Sequence, residues 1–324
     1  MRIDIETHVV YNPRHKGGAK NAKENEMKKR LGTIGKIVTL IMMFAMMLQT
    51  PEEAQAAVVK KNFEEVVVVK TEPGTECGNF GCLALDGKGG LYALKTDTME
   101  GHTQYSNLYY FKNYKNYKNT KEFKRYRVDQ SLGHGNGMTY RNGYLYVADG
   151  NHIAKMTTKG VVKAFYTIDN SIKTIKNQSA SSITCYKSDT YIVGLGKKSN
   201  TIVYGIGKIE NKKFKVTSIF SVNRDQGYDM TQDICYAKKC LYIVTSQSGD
   251  PINKNRILCV NTSLNGTGII PDTVIEVKKP KKDMDGNATI SKFEAEGIGI
   301  ESDGTILISA NCEASDDGVF LAIN

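Results

Sequence analysis

The sequence predicts an all-β fold, namely a β-propeller of five four-stranded blades, with six blades as the alternative. Three observations lead to it: a hairpin pattern that recurs along the chain, strand-like runs between the hairpins, and an early strand that can close a ring. The composition agrees, because 30 Gly and 18 Tyr favour turns and strands and a 40% hydrophobic content supplies a core.

The recurring hairpin has a short apolar strand, a polar turn and a second strand rich in Leu, Tyr, Ile and Val. Its turns read DGKGG, RNG, KSD, AKK and SDG, and most of these suit tight hairpins. A period of about 50 residues fits one four-stranded blade per repeat. The five copies span residues 81–95, 135–149, 181–194, 231–245 and 296–310.

Further strand-like runs supply the third and fourth strands of the blades. A single such sheet cannot bury both of its faces, so the blades are expected to stack around an axis. A pair of β-sandwiches is the rival fold, but sandwiches rarely show so long a repeat. A sixth blade would have to lie within residues 95–131. The runs span residues 152–157, 161–168, 201–209, 214–222, 256–260 and 273–277.

Ring closure is predicted from the two ends of the folded region. The C-terminal run at 318–323 offers only a third strand for the last blade. The strand at 63–70 is therefore expected to complete that blade, which ties the ends together and removes an exposed sheet edge.

The N-terminal region has the pattern of a secretory signal. Basic residues at 28–30 precede an apolar run at 37–48, and Ala54 and Ala56 follow it at the spacing of an A-x-A cleavage site. The run is short for a membrane span, which takes roughly 20 residues, and an uncleaved anchor is the alternative. We expect cleavage after Ala56 and a secreted bacterial protein.

The predicted domains follow from this cleavage. Residues 1–56, a polar extension plus the signal peptide, are expected to be removed, and residues 57–324 to form the propeller without a stable membrane span. Translation is expected to start at Met27, and a native precursor whose intact mass begins at Met1 would refute that start.

Charge suggests a partner class. The formal net charge is +10, and residues 1–56 carry nine Lys/Arg and six Asp/Glu, which leaves +7 on the mature chain. A basic secreted protein favours anionic envelope glycopolymers, and export argues against nucleic acid. Residues 109–127 interleave basic and aromatic residues, as an anion-binding surface would, although a hairpin with solvated outer strands is the favoured interpretation. We expect a monomer.

The seven Cys residues allow disulfides. Cys235 and Cys240 flank four residues and would pair if they faced each other in a hairpin, and Cys77 and Cys82 have the same separation. There is no CxxC and the five His are scattered, so no zinc site is expected.

The starts of the innermost strands are the candidate site, because in a propeller they crowd one mouth of the channel. His134 and Glu296 would form an acid–base pair if both faced the channel, although a structural His is favoured. No G-x-S-x-G, H-E-x-x-H or Walker motif is present in the sequence. The candidate ligand-binding residues are Asn79, His134, Asn136, Ser181, Gln232, Asp233 and Glu296.

Two segments of the sequence, which contain some of these residues, resemble a known family. Residues 134–140 with 144–149, and residues 293–300 with Asp303 and Gly304, resemble blades of secreted bacterial propellers. The nearest groups are the helveticin J-like proteins and the broader NHL and gluconolactonase-like propellers. The resemblance covers most of residues 63–324, rests on short motifs, and implies the fold more than the function.

The gluconolactonase-like resemblance implies a central Ca²⁺ held by oxygen ligands at the blade starts. Glu296 and Asn136 match best by position, and Gln232 or Asp233 matches less well. The remaining blades offer Asn79 or Gly81 and Ser181, so the full acidic and amide set is missing. The alternative is a polar, solvated channel.

A second calcium candidate is the loop at 283–294, which resembles an EF-hand loop. Ala288 replaces the Gly needed for its sharp turn, and Pro280 interrupts the entering segment. The alternative is an acidic surface turn. Metal analysis and thermal melts with and without calcium test both sites. The loop ligands would be Asp283, Asp285, Asn287, Thr289, Ser291 and Glu294.

Two functions follow from these features. The favoured one is a secreted binding protein that recognises an extracellular or cell-envelope ligand at the channel mouth. The alternative is a calcium-dependent hydrolase or lactonase with a metal in the central channel.

Overall fold

The computed structural model divides into two units, Met1–Ala54 and Gln55–Asn324. In the first unit a helix covers residues 26–33. None of the helices in the described part is long and apolar enough to cross a bilayer. The predicted apolar run at 37–48 lies outside the described residues, and cleavage after Ala56 stays a prediction. The structure describes residues 26–33, 36, 56–70, 78–96, 106–169, 179–224, 227–228, 230–247, 254–261, 263–286, 290, 292–312 and 316–323.

The second unit consists almost entirely of strands. A one-turn 3-10 helix, Tyr114–Asn116, and a one-turn α-helix, Tyr117–Thr120, lie between two of them. The strands are β1 (Ala57–Lys70), β2 (Asn79–Leu85), β3 (Leu91–Thr96), β4 (Ser106–Phe111), β5 (Lys124–Arg127), β6 (Gly137–Arg141), β7 (Tyr144–Ala148), β8 (His152–Thr157), β9 (Val162–Ile168), β10 (Ser182–Lys187), β11 (Thr190–Lys198), β12 (Thr201–Glu210), β13 (Lys213–Asn223), β14 (Met230–Ala237), β15 (Cys240–Ser246), β16 (Asn255–Val260), β17 (Gly266–Ile269), β18 (Thr273–Lys278), β19 (Glu294–Ile300), β20 (Ile306–Asn311) and β21 (Asp316–Ile323).

These strands pair in antiparallel groups of four, and we call each group a blade. Blade 1 is β2–β5, blade 2 is β6–β9 and blade 3 is β10–β13. Blade 4 is β14, β15, β16 and β18, and blade 5 is β19, β20, β21 and β1. The short strand β17 pairs with β13 at the outer edge of blade 3. Within residues 95–131, the strands β4 and β5 complete blade 1.

The first strands of the blades form a closed ring. Strand β2 contacts β6, β6 contacts β10, β10 contacts β14, β14 contacts β19, and β19 returns to β2. Each of the five described core clusters lies between two neighbouring blades, as where Leu94 of blade 1 packs with Met138 of blade 2. Burial between blades therefore stabilises the ring, and the predicted β-propeller fold is confirmed.

Ring closure uses the early strand, as predicted, but that strand is longer than the sequence suggested. Residues 62–70 of β1 pair antiparallel with β21 and complete blade 5. Residues 57–62 pair parallel with β18 of blade 4. One strand thus joins two blades, and the segment from Ala57 onward is part of the sheet.

The proposed pairing of Cys235 with Cys240 is wrong. Lys238 and Lys239 both have positive φ and form a two-residue turn, so Ala237 lies opposite Cys240 and Cys235 lies opposite Tyr242. Both thiols are free. The partner proposed for Cys82, Cys77, lies outside the described residues.

Candidate functional site

The propeller axis is closed by contacts between inner strands. A Cβ at Gly137 would lie 2.5 Å from Oδ1 of Asp233 and 2.8 Å from the Cα of Ser182. On the opposite side, a Cβ at Gly297 would lie 3.0 Å from the Cα of Cys82. Only glycine permits this approach, which brings the inner strands of all five blades close together at this level.

Asp233 occupies the centre of this closed level. Its side chain is fully buried, and the amide of Ile234 donates to Oδ1 at 2.7 Å. Burial raises the pKa of the carboxyl well above its usual value, while hydrogen bonds from the amides of Ile298 and Met138 lower it in part. The carboxyl therefore links the inner strands of blades 2, 4 and 5.

Glu296 lies beside the axis on β19 and is almost as deeply buried. The amide nitrogen Nδ2 of Asn311 donates to its Oε1 at 2.8 Å, and the backbone amide of Phe80 donates to Oδ1 of Asn311 at 2.9 Å. Burial and the neighbouring charge of Glu294 raise the pKa of Glu296 well above its usual value. The network joins blade 5 to blade 1.

A buried ion pair lies at the same interface. Nζ of Lys95 lies 2.9 Å from Oδ2 of Asp317 and donates to the carbonyl of Val69 at 2.9 Å, and both charged side chains are fully buried. The amide of Cys312 donates to Oδ1 of Asp317 at 3.2 Å. Sequence reasoning missed this pair, although a lysine within the buried run of β3 was a usable signal.

The mouth is built from the residues around the starts of the inner strands. His134 is exposed, while Asn136, Ser181 and Gln232 are half-buried. Ser181 donates through Oγ to the carbonyl of Gly194 at 3.2 Å. In the described part of the chain, the side chains of His134, Asn136 and Gln232 make no hydrogen bond. The side chain of Asn79 lies outside the described residues.

The mouth therefore separates the predicted site residues into two classes. Asp233 and Glu296 are buried and accept hydrogen bonds from backbone or side-chain donors, whereas His134 is exposed and Asn136 and Gln232 are half-buried. Among the described contacts, no hydrogen bond or ion pair joins His134 to Glu296, so the acid–base pair stays a prediction.

The calcium sites also stay predictions. Within the described ranges, no three His, Cys, Asp or Glu side chains group as metal ligands. In the loop, Asp285 pairs with Lys121 at 3.3 Å and Glu294 pairs with Lys292 at 3.4 Å. Of the other proposed loop ligands, Asp283 is half-buried, and Asn287, Thr289 and Ser291 lie outside the described residues.

The opposite end of the channel is formed by the far ends of the inner strands. A cavity of about 130 Å³ there is lined by all five inner strands and includes the thiols of Cys185 and Cys235. Burial raises the pKa of the Cys235 thiol to about 12, so it is not a reactive thiolate near neutral pH.

The solved structures similar to this chain include several enzymes that act on carbohydrates. The Bacteroides ovatus xyloglucan PUL GH43B is 13% identical with a TM-score of 0.50, and the match covers 80% of this chain and 54% of that one. The α-L-arabinofuranosidase PaAbf62A of Podospora anserina is 11% identical with a TM-score of 0.48, and that match covers 82% and 96%. The chain thus spans about half the length of the first protein.

No protein-family model and no curated protein sequence matches the chain. At these low identities the structural likeness concerns the fold and not the chemistry of the site. The likeness to the Bacteroides ovatus protein shows that the chain has the β-propeller fold.

Proposed function

We propose that the chain is an exported β-propeller that binds an extracellular carbohydrate at the mouth formed by the inner-strand starts. The observation that carries this proposal is the closed axis. At Gly137 and Gly297 the inner strands lie so close to their neighbours that even a Cβ would collide, so we place the ligand across the mouth and not between the strands.

The chemistry of the mouth suits a polyhydroxylated ligand. Asn136 and Gln232 each offer an amide donor and acceptor, and His134 adds an imidazole. They come from blades 2 and 4, so one sugar chain spanning the mouth can contact several blades. Polar side chains without protein partners are free to exchange their water for ligand hydroxyls.

Export is supported by the start of the folded region. The proposed cleavage after Ala56 would leave Ala57 as the first residue of β1. Processing there would keep every pair between β1 and β18. We therefore expect the secreted chain to retain the whole propeller.

The second candidate function is a glycan hydrolase, and one observation favours it. Glu294 and Glu296 lie close together on β19, and the pKa of Glu296 is raised by burial and by Glu294. A carboxyl with a raised pKa next to a second carboxyl is the arrangement of a general acid with its partner. Calcium at Glu296, Asn136 and Asp233, or in the loop at 283–294, is retained as a proposal for this candidate.

The test measures retention and turnover on the same material. The secreted protein is mixed with insoluble arabinoxylan and with peptidoglycan sacculi, and bound protein and soluble reducing ends are quantified. Binding predicts retention of the wild type, at least tenfold weaker retention of Asn136→Ala/Gln232→Ala, and no reducing ends. Asn265→Ala, in an exposed outer loop, is the control and should be retained like the wild type.

If the wild type releases reducing ends and Glu296→Gln does not, the result supports the hydrolase instead of the binding protein. No retention on either material, together with no release, would contradict the carbohydrate proposal.

A further inference from the structure

A large cleft lies on the outer side of the propeller, away from the mouth residues. Its walls are residues 62–66 of β1, the one-turn helices after β4, and the segment 278–284 that follows β18. The cleft has a volume of about 640 Å³. Six lysines line it, and they come from two segments far apart in the chain: Lys115, Lys118, Lys278, Lys279, Lys281 and Lys282.

Most of this positive charge is not neutralised within the protein. In the described part of the chain, Lys118, Lys278, Lys281 and Lys282 are exposed and have no ion-pair partner, whereas Lys115 pairs with Glu301 at 2.5 Å. The lysines outnumber the acidic lining residues, which are Glu64, Glu65 and Asp283. The cleft therefore carries an excess of positive charge.

One of those acidic residues holds the wall of the cleft in place through a hydrogen bond. Glu65 is buried, and its Oε2 accepts a hydrogen bond from the amide of Met284 at 2.7 Å. Met284 is itself buried and packs against the core between blades 5 and 1. These contacts fix the lysine-bearing segment 278–284 against β1, so the cleft is a built feature of the fold.

The two tyrosines next to Lys115 and Lys118 face the interior. Tyr114 and Tyr117 are buried and belong to the same core cluster as Val67 and Val69. The lysines beside them, Lys115 and Lys118, remain exposed. The described lining of the cleft therefore offers charge without an exposed aromatic ring for stacking, and proteins that bind single-stranded nucleic acid combine the two.

We propose that this cleft binds a linear polyanion with closely spaced phosphate groups. The four lysines that have no ion-pair partner in the described part of the chain exceed what one phosphate can contact, and lysine is a compact point charge suited to phosphate. The lysines line a concave cleft, which fits a chain better than the flat surface of a membrane. The proposal is independent of carbohydrate binding at the mouth.

The probe is short-chain inorganic polyphosphate, titrated into the secreted protein at several salt concentrations, with orthophosphate as the monomeric comparison. Polyphosphate should bind, orthophosphate should bind at least tenfold more weakly, and the affinity should fall as salt rises. Replacing Lys118, Lys278, Lys281 and Lys282 by Gln should weaken binding at least tenfold and lower the slope of log affinity against log salt by roughly 3.

The matched control replaces Lys88, Lys159, Lys163 and Lys213 by Gln. These four are exposed lysines outside the cleft, so the net charge changes equally. Equal loss in both variants, or no binding of polyphosphate by the wild type, would overturn the proposal. Melting temperatures equal to the wild type check that both variants are folded.

Two further binding measurements show which kind of ligand the cleft prefers and whether the mouth takes part. If single-stranded DNA or anionic phospholipid vesicles bind more tightly than polyphosphate and depend on the same cleft lysines, the proposal of a linear polyphosphate is overturned in favour of that ligand. Asn136→Ala/Gln232→Ala should bind polyphosphate like the wild type, which separates failure at the mouth from failure at the cleft.

Discussion

Lysine occurs in two opposite environments in this propeller. Lys95, between blades 1 and 5, is fully buried and contacts both the carboxylate of Asp317 and a backbone carbonyl. Lys281 and Lys282, in the outer cleft, are exposed and have no ion-pair partner in the described ranges. The first lysine is part of the interior, and the other two are available to a ligand.

The difference indicates which polar groups stabilise the fold. A buried polar or charged group is tolerated only with partners, so Lys95, Asp317 and Asp233 are expected to be needed for stability. Polar groups that stay in contact with water, such as Asn136 at the mouth and the cleft lysines, lose little hydration free energy when the chain folds. Substitutions should therefore affect stability in the interior and binding at the surface.

The largest expected effect is on the buried ion pair. Lys95→Met leaves the carboxylate of Asp317 buried without its cation, so the free energy of unfolding should fall by about 3–5 kcal/mol. Lys208→Met breaks an exposed pair of similar length, 2.8 Å to Asp189, and should change stability little. Chemical denaturation of both variants measures the contrast.

The double variant Lys95→Met/Asp317→Leu sharpens this comparison. Replacing a buried pair by apolar side chains of similar size is often close to neutral, so much of the lost stability should return. Equal loss in Lys95→Met and Lys208→Met would mean that burial does not distinguish the two pairs.

A smaller effect is expected from the titration of Glu296. Its pKa is higher in the folded than in the unfolded chain, so the folded state holds the proton more tightly. Its contribution should be most favourable below the usual Glu pKa and should be lost as the pH rises from there through the raised folded value. Glu296→Gln should flatten this decline in the free energy of unfolding.

Denaturant titrations at a series of pH values measure the slope. Glu64→Gln removes one exposed carboxylate from β1 and controls for the change in net charge. A decline that is as steep in Glu296→Gln as in the wild type would show that this carboxyl does not contribute to it.

Local features of the fold were predictable from the sequence. The pair Asn142 and Gly143 has positive φ at both residues, as the RNG turn predicts, and it joins β6 to β7. The closing strand at 63–70 was also found from its pattern. Turn chemistry and alternation act over a few residues, so a single sequence is enough to reveal them.

Features that depend on distant residues were not predictable. Lys95 and Asp317 lie on different blades, and the sequence around either residue does not indicate that the two form an ion pair. The parallel pairing of residues 57–62 with β18 was missed because the sequence of a strand does not indicate which sheet edge it pairs with. Positions at the mouth were predicted from strand starts, but the sequence did not distinguish buried Asp233 from exposed His134.

The most direct test of the account compares the axis with the mouth. Asp233→Asn and Asn136→Ala/Gln232→Ala are measured for melting temperature and for retention on the polysaccharide that retains the wild type. We predict that Asp233→Asn melts at a lower temperature yet is retained like the wild type while folded, and that the mouth variant melts normally and is lost from the material. Loss of retention in folded Asp233→Asn, with normal retention of the mouth variant, would contradict binding at the mouth.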